Sequence, residues 1–489
     1  MNNFQNIDLK AIAQKAMAKY GFEPQFPRAV VAETDALPES LPLYHDRNVR
    51  DLRELLWSSI DNYDSMDLDQ LEYCERGEGD EITIRVAIAD VDHFVPKSSY
   101  TDNHAAHNGT SVYTGVLTFP MLPDKLSKGI TSLLPGLDRR AMIIEYMVLP
   151  HGELRPGDLY PALVRNKAKL VYEEIGDWLE GKTGLPKGVS RVDGLEDQLR
   201  LQKVAMGRLK TFRRAQGALE LTTLEAEPVV ENGRIKDIVV QRQNTARCLI
   251  EEFMIAANST MVAFLGKAAI PMIQRVVRVP KYWDGIVLTA AIRHETLPAK
   301  PDAKALAEFL IRQKKNDPEH FPDLSLTIVK LLGPGEYVML EPGKEPTGHF
   351  SLAITDYTHA TAPNRRYVDL VNQRLLKSVL RGKPIPYSST KLVELSLWLS
   401  DREKGSKKVE RFMRKAAAAL LLRDKIGDIF DALVTGASQK GTYVRLLSPP
   451  AEGRVMQGER GLLVGQKIRV RLLKTDPYNG FIDFERIGR

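Results

Sequence analysis

Residues 59–71 read Ser-Ile-Asp-Asn-Tyr-Asp-Ser-Met-Asp-Leu-Asp-Gln-Leu, and an alternating run, Ile-Thr-Ile-Arg-Val-Ala-Ile, follows at 82–88. The second run sets Ile82, Ile84, Val86 and Ile88 against Thr83, Arg85 and Ala87, which predicts a strand with one buried face. The first places four carboxylates, Asp61, Asp64, Asp67 and Asp69, within nine residues. Asp67 and Asp69 lie on one side of an extended backbone, roughly 6–7 Å apart, and Asp61 returns to them if 62–66 form a loop. Such a cluster repels itself unless a cation sits among its members, and all-oxygen donors suit a hard ion such as Mg²⁺ or Mn²⁺. That is equipment for cleaving a phosphodiester, where metals activate water and stabilise the leaving oxygen. Taken alone, an acidic stretch is more often a solvated loop, so its surroundings must decide.

Working outward, strands and helices alternate from about residue 43 to 400 without an obvious break. Segment 249–264 carries Leu249, Phe253, Ala257 and Phe264 on one face and predicts a helix. Another helix is expected from about Thr390 to Leu422, with Gly405 as a candidate bend. At the N-terminus Asp8 to Tyr20 reads as an amphipathic helix, Asp8 its cap and Gly21 its stop, and Pro24 to Pro42 reads as an extended linker. From residue 425 short strand patterns recur, with a hairpin signal at Asn479-Gly480. About five short strands suit a small closed barrel of the OB type, often an oligonucleotide-binding fold, with any other small β-barrel left open. Lys440, Tyr443, Arg445, Arg469 and Arg471 would give that barrel cations and an aromatic for phosphates and stacked bases.

Composition narrows the class. The chain has 489 residues, 43% hydrophobic and 27% charged, the profile of a globular protein of several domains. No apolar run approaches the ~18 residues of a membrane span, and the first residues lack the pattern of a secretory signal. Two cysteines, Cys74 and Cys248, cannot make a disulfide framework or a Cys-rich zinc site, so a cytoplasmic protein is expected. The excess of 69 Lys and Arg over 63 Asp and Glu, a net +6, permits a polyanionic partner without demanding one. There is no GxxxxGK[ST], GxGxxG, HExxH or GxSxG motif, which argues against P-loop enzymes, zinc proteases and α/β-hydrolases.

A second constellation runs from Tyr357 to Arg374 and contains the pair Arg365-Arg366 just after a proline, at the opening of a helical pattern. Two such arginines could hold a phosphate by charge-assisted bonds. They equally suit an ordinary helix start, in which one pairs with Asp369 and the other is solvated.

Together these blocks resemble the catalytic domain of the ribonuclease II and ribonuclease R family of 3′-to-5′ exoribonucleases. The resemblance rests on the acidic block at 60–70, IADVDHFV at 88–95, TSVYTGVLTFPMLPDKLSKGITSL at 110–133 and KAKLVYEEI at 167–175. It continues through LIEEFMIAAN at 249–258, GHFSLAITDYTHATAPNRRYVDL at 348–370 and VER at 409–411. It covers about residues 43 to 420, and the tail looks like the family's OB-type RNA-binding barrel. The resemblance implies an α/β (α+β) catalytic domain with a mixed sheet over 43–424, an OB barrel over 425–489 and an N-terminal helix with linker over 1–42. It implies Asp61, Asp67 and Asp69 as holders of the metal (Mg²⁺, with Mn²⁺ as alternative) and Asp69 and Arg365 as catalytic residues. Tyr113 would clamp terminal bases, although a core tyrosine stays open, and Glu410 falls where the family has a channel glutamate. Arg365, Arg366, Tyr443 and Arg445 would contact RNA. The implied reaction is metal-dependent hydrolysis of single-stranded RNA from its 3′ end to nucleoside 5′-monophosphates, with no membrane involved.

Two departures bear on this. The family's acidic block ends in two aspartates, and here the second position is Gln70, whose carbonyl can face a cation but brings no charge. Upstream, about 40 residues stand where larger members carry cold-shock-type OB domains, which should make RNA binding weaker and more salt-sensitive. Gln70 supports the rival reading, a catalytically impaired RNA-binding protein that uses the same channel and barrel.

Overall fold

A computed structural model describes residues 7–38, 48–222, 225–231, 234–241, 243–438 and 441–488. Lys440, the far end of the expected linker and the boundary at 42/43 lie outside the described residues. The first nine strands are β1 (Arg50–Asp51), β2 (Ser58–Asp61), β3 (Gln70–Arg76), β4 (Ile82–Ala89), β5 (Val112–Tyr113), β6 (Thr118–Phe119), β7 (Asp138–Val148), β8 (Leu154–Arg165) and β9 (Ala168–Val171). Seven of them form one mixed sheet in the order β1-β8-β7-β4-β3-β2-β9, while β5 and β6 make a separate ladder. β4 is central, antiparallel to both β3 and β7. Its first half alternates as expected, but from Val86 to Ala89 both faces are buried. The alternation fails there because Ala87 and Ala89 are small enough to be covered on the second face.

Helices Leu195–Ala215 and Thr245–Lys267 pack on this sheet and share its main core. The second contains the expected segment 249–264, starting from Asn244, whose side chain caps the Arg247 N–H. This 23-residue helix is long and apolar enough to cross a membrane by length and composition alone. Its apolar window is 67% buried inside the fold, with Leu249, Phe253 and Ala257 fully enclosed, so it serves as a core helix.

Two sequence expectations near the N-terminus divide. Helix Leu9–Lys19 forms as read, with Asp8 Oδ1 accepting from the Lys10 and Ala11 N–H groups. The stretch after it is not an extended linker: Arg28–Asp35 is helical. Pro24, Pro27 and Pro38 flank this helix without entering it, so they bound it rather than break it. Glu33 ties it down by accepting from the Thr101 N–H at 2.7 Å. Helix Ser389–Leu421 runs unbroken through Gly405. That glycine marks a close approach, not a bend, because a Cβ there would stand 3.0 Å from the Phe22 ring.

A hairpin, β10 (Glu225–Glu231) with β11 (Arg234–Gln241), and a pair, β12 (Met272–Val276) with β13 (Glu336–Leu340), complete this part. The tail is a closed barrel of β14 (Ile429–Ser438), β15 (Gly441–Leu446), β16 (Glu452–Gln457), β17 (Lys467–Asp476) and β18 (Phe481–Ile487). β17 and β18 join through the expected Asn479-Gly480 turn, where Gly480 has φ +66°. The barrel core, with Val434, Val444, Val455 and Phe484, continues into Ala418, Ala419 and Leu422 at the end of the long helix. The tail is therefore docked on the first domain.

Candidate active site

β2 ends at Asp61 and β3 begins at Gln70, so the acidic residues between them sit on one loop. Its neighbours hold that loop. Lys169 Nζ on β9 donates to the carbonyls of Tyr63 and Ser65, at 2.8 and 2.5 Å. The Ser132 hydroxyl donates to the Met66 carbonyl at 2.6 Å and accepts from the Leu68 N–H at 3.0 Å. The Asp69 carbonyl accepts from the Ala89 N–H at 2.9 Å, tying the loop to β4. Asp61 Oδ1 takes the Asn62 N–H and the Ser65 hydroxyl, each at 2.7 Å.

The opposite wall joins two segments far apart in sequence. The Ser111 N–H and the Thr110 hydroxyl both donate to the Arg365 carbonyl, at 2.9 and 3.0 Å. This pairing sets Tyr113 beside Arg365. From there the Tyr113 hydroxyl donates to Asp67 Oδ2 at 2.9 Å. Arg365 Nε donates to Asp69 Oδ2, and the Asn364 N–H to Asp69 Oδ1, each at 3.0 Å. The Asp69 side chain is 1% exposed. Burial pushes its carboxyl up to about 7, over the opposing pull of Arg365 and the Asn364 N–H, and Asp67's charge pushes the same way. The Arg365 side chain stays 42% exposed and faces a cleft of about 210 Å³. Tyr113, Arg366, His359 and Glu410 also line that cleft.

Not every expected residue is so placed. Arg366 grips Asp369 through Nε and Nη2, at 2.9 and 2.8 Å, so the two adjacent arginines take different carboxylates. Asp64 is exposed in the loop. Tyr443 is 37% exposed on β15, whereas Arg445 Nη2 is bound to Asp323 at 2.8 Å and ties the barrel to helix Phe321–Leu332. Arg471 pairs with Glu485, and Arg469 borders a groove on the barrel.

Among the described residues, no three His, Cys, Asp or Glu side chains converge closely enough to hold an ion as they stand. Asp61, Asp67 and Asp69 each have a different protein donor, which offsets their mutual repulsion. The donors nonetheless suit a hard divalent cation: they are carboxylate oxygens on one loop, with no thiol or imidazole among them. Sequence reasoning missed Asn364, which contributes a backbone N–H that no side-chain pattern reveals. It also missed His359 and Tyr337, joined by a 2.9 Å hydrogen bond in the cleft wall. Burial holds the His359 imidazole well below its usual range, so it is neutral.

Known proteins are similar to this chain over most of its length. A family model described as "RNB domain" matches residues 49–382, and one described as "RNase II-type exonuclease C-terminal S1 domain" matches 428–487. Ribonuclease R 1 of Lactococcus lactis is 27% identical over 513 residues, covering 98% of this chain and 61% of its own. Ribonuclease R of Escherichia coli is 30% identical over 439 residues, 86% of this chain and 52% of its own. The chain thus spans about half to three fifths of the length of these two relatives. Mycoplasma genitalium RNase R, solved in complex with ribose-methylated single-stranded RNA, has the same fold, with a TM-score of 0.89 at 23% identity. That likeness covers 99% of this chain and 79% of the other.

Proposed function

The chain belongs to the RNB family, and from that premise we propose that it is a metal-dependent hydrolytic exoribonuclease. On this reading it degrades single-stranded RNA from the 3′ end to nucleoside 5′-monophosphates. The observation that carries the reading is that Asp67 and Asp69 are hydrogen-bonded to Tyr113 and Arg365, two residues that line one cleft. Asp61, Asp67 and Asp69 would hold a divalent cation, Mg²⁺ or alternatively Mn²⁺. When bound, such an ion supplies positive charge that eases deprotonation of the attacking water and offsets charge on the leaving oxygen.

The chain's own residues do the rest. Arg365 is anchored to Asp69 through Nε alone, so its terminal nitrogens remain to donate to phosphate oxygens as charge grows on them. Arg366 cannot substitute, because Asp369 holds its fork. Tyr113 is fixed at its hydroxyl end by Asp67, which leaves the ring as a face for the terminal base; stacking accepts any base, as removal of successive terminal nucleotides requires. Tyr443 would extend the RNA path onto the barrel, while Arg445 acts mainly as an inter-domain tie.

The proposed division is 1–42 as N-terminal head, 43–424 as catalytic domain and 425–489 as RNA-binding barrel. It is supported by the end of the long helix at Leu421 and the start of β14 at Ile429. A cytoplasmic setting is proposed with it, in keeping with two unbridged cysteines.

The test is a gel time course on 5′-labelled single-stranded RNA of about 30 nucleotides, with Mg²⁺, Mn²⁺ or chelator. A metal-dependent ladder shortening from the 3′ end is expected. Gln70 favours the second reading, capture of RNA without cleavage. Intact RNA in every lane together with a shifted band on a native gel would establish that alternative.

A further inference from the structure

Helix Ser389–Leu421 carries Lys404, Lys407, Lys408, Arg411, Arg414 and Lys415 within twelve residues, with Glu410 as the one acid among them. That window alone holds a net +5, against +6 for all 489 residues. Lys407 and Glu410 line the cleft. The next residue after each, Lys408 and Arg411, stands about 100° further round the helix and is exposed. Lys404, Lys408, Arg411 and Lys415 follow one another at spacings of four, three and four, so they form one stripe about 16 Å long. It runs clear of the buried side made by Gly405, Val409, Met413 and Ala416.

The neighbouring elements continue this surface. Helix Leu9–Lys19 packs alongside, setting Ile12, Ala16 and Met17 against Val409 and Met413, and its charged residues are three lysines with no acid. The two sets of lysines meet at Tyr20, whose ring centre lies 5.9 Å from both Lys19 Nζ and Lys408 Nζ. At the other end Lys415 adjoins the β17–β18 turn, since a Cβ on Gly480 would stand 3.3 Å from the Lys415 Cβ. Tyr478 and Phe481, on that turn, are 55% and 60% exposed. Like charges at i,i+4 weaken the helix that carries them, and Lys404–Lys408, Lys407–Arg411 and Arg411–Lys415 are all such pairs. Elsewhere the fold interleaves signs, as with Glu196 and Arg200 on helix Leu195–Ala215. Among the described residues no ion pair relieves Lys404, Lys408, Arg411 or Lys415. A strand of phosphates would supply the missing negative charge, and exposed rings beside the cations offer bases a place to stack.

We propose that the outer face of the long helix, from Lys404 to Lys415 and on to the β17–β18 turn, is a second RNA-binding surface. It holds, by its phosphates, the single-stranded RNA that lies upstream of the nucleotides in the cleft. This rests on reading the chain as an enzyme that acts on RNA. Lys407, at the rim of the cleft, stands between the two surfaces, so a strand leaving the cleft over it meets Lys408 and Arg411 next.

The test is fluorescence anisotropy of labelled single-stranded RNA on the full chain, with chelator present so that nothing is cleaved. Two lengths are compared, about 30 and about 6 nucleotides, the shorter able to enter the cleft without crossing the helix. The variants are Lys404→Gln/Lys408→Gln/Lys415→Gln and, independently, Tyr478→Ala/Phe481→Ala, each melted as a fold control. The triple variant should bind the long RNA about 10-fold or more weakly. Its slope of log affinity against log salt should fall by about 2, roughly 0.7 for each lost phosphate contact. The aromatic pair should lose about 10-fold on the long RNA with no change of slope. Both variants should melt like the parent and bind the short RNA like it. Parent-like affinity and slope for the long RNA in the triple variant overturn the inference, as does an equal loss on both lengths. Loss of binding to phosphatidylglycerol vesicles with RNA binding unchanged also overturns it and assigns the stripe to an anionic lipid surface. Parent-like binding by the aromatic pair alone removes the turn from the surface. An unmodified chain that binds neither RNA removes the reading of the chain as an RNA enzyme, a failure distinguishable from that of this surface.

Discussion

Two acid-rich regions lie side by side in this fold, one at the start of β3 and one at the end of β4, and they treat charge in opposite ways. Beyond β4, Asp90 is buried, yet Lys377 Nζ sits 2.6 Å from it and also holds Asp92 at 2.9 Å. Arg374 in turn pairs with Asp92 at 3.0 Å and Asp102 at 2.8 Å. Burial alone would raise the Asp90 carboxyl, but Lys377 outweighs it and the net shift is downward. At β3, Asp69 has Arg365 and is still pushed up to about 7, and Glu72 has no hydrogen-bonded or ion-pair partner among the described residues. A buried acid matched by nearby cations is scaffold; one left short of positive charge is where chemistry is expected.

That contrast can be broken by mutation. Asp69→Asn should lower RNA hydrolysis to below about one hundredth of the parent rate while RNA affinity on a native gel stays near parental. A variant that keeps most of its rate would remove the acidic loop from the mechanism. Arg365→Ala should lower kcat by about 10²–10³-fold, since it removes one charge stabiliser from the phosphate. A loss confined to KM would instead make it a binding residue.

The scaffold side predicts stability effects without such specific rate effects. Lys377→Met leaves Asp90 buried without its main partner and should cost roughly 3–5 kcal/mol in denaturant unfolding. Activity per folded molecule should be retained. An acid titration probes two such compensated acids. Asp90 and Glu403 both have depressed folded values, Glu403 through Arg275 and Lys407 acting against burial. Their stabilisation is therefore present above the unfolded values of 3.8 and 4.5 and is lost as pH falls through the lower folded ones. From these two groups melting temperature should fall steeply as pH drops below about 4, while Asp69, raised to about 7, adds a gain as pH falls from 7 toward 5. The smallest effect belongs to the barrel. Tyr443→Ala should weaken RNA binding by about 1–3 kcal/mol if its ring stacks a base, with no change in melting.

Asp67 and Asp69 stood out in the sequence by carboxylate spacing, whereas Tyr113 and Arg365 were singled out only by the resemblance of the TSVYTG and PNRRY blocks to those of the family. The capped first helix and the barrel strands were legible, because their signals of cap, turn and alternation act over a few residues. The helix Arg28–Asp35 was not, because prolines on either side suggested extended chain while Val30 and Thr34 face inward only once the first domain is present. Arg366 illustrates the same limit: sequence offered Asp369 to either arginine, and only the Thr110–Arg365 pairing decided that Arg365 should face Asp69.

The sequence by itself determined the capped first helix, the barrel strands, the acidic loop and the kind of ion its oxygens suit, since these depend on residue type and short-range spacing. The tertiary structure decided which charges are compensated. Lys377 lies 287 residues from Asp90 and Arg365 lies 296 from Asp69, and nothing in the chain's order foretells which cation will reach which acid. Only the folded core, by removing water, turned an ordinary strand residue such as Glu72 into a carboxylate in need of a partner.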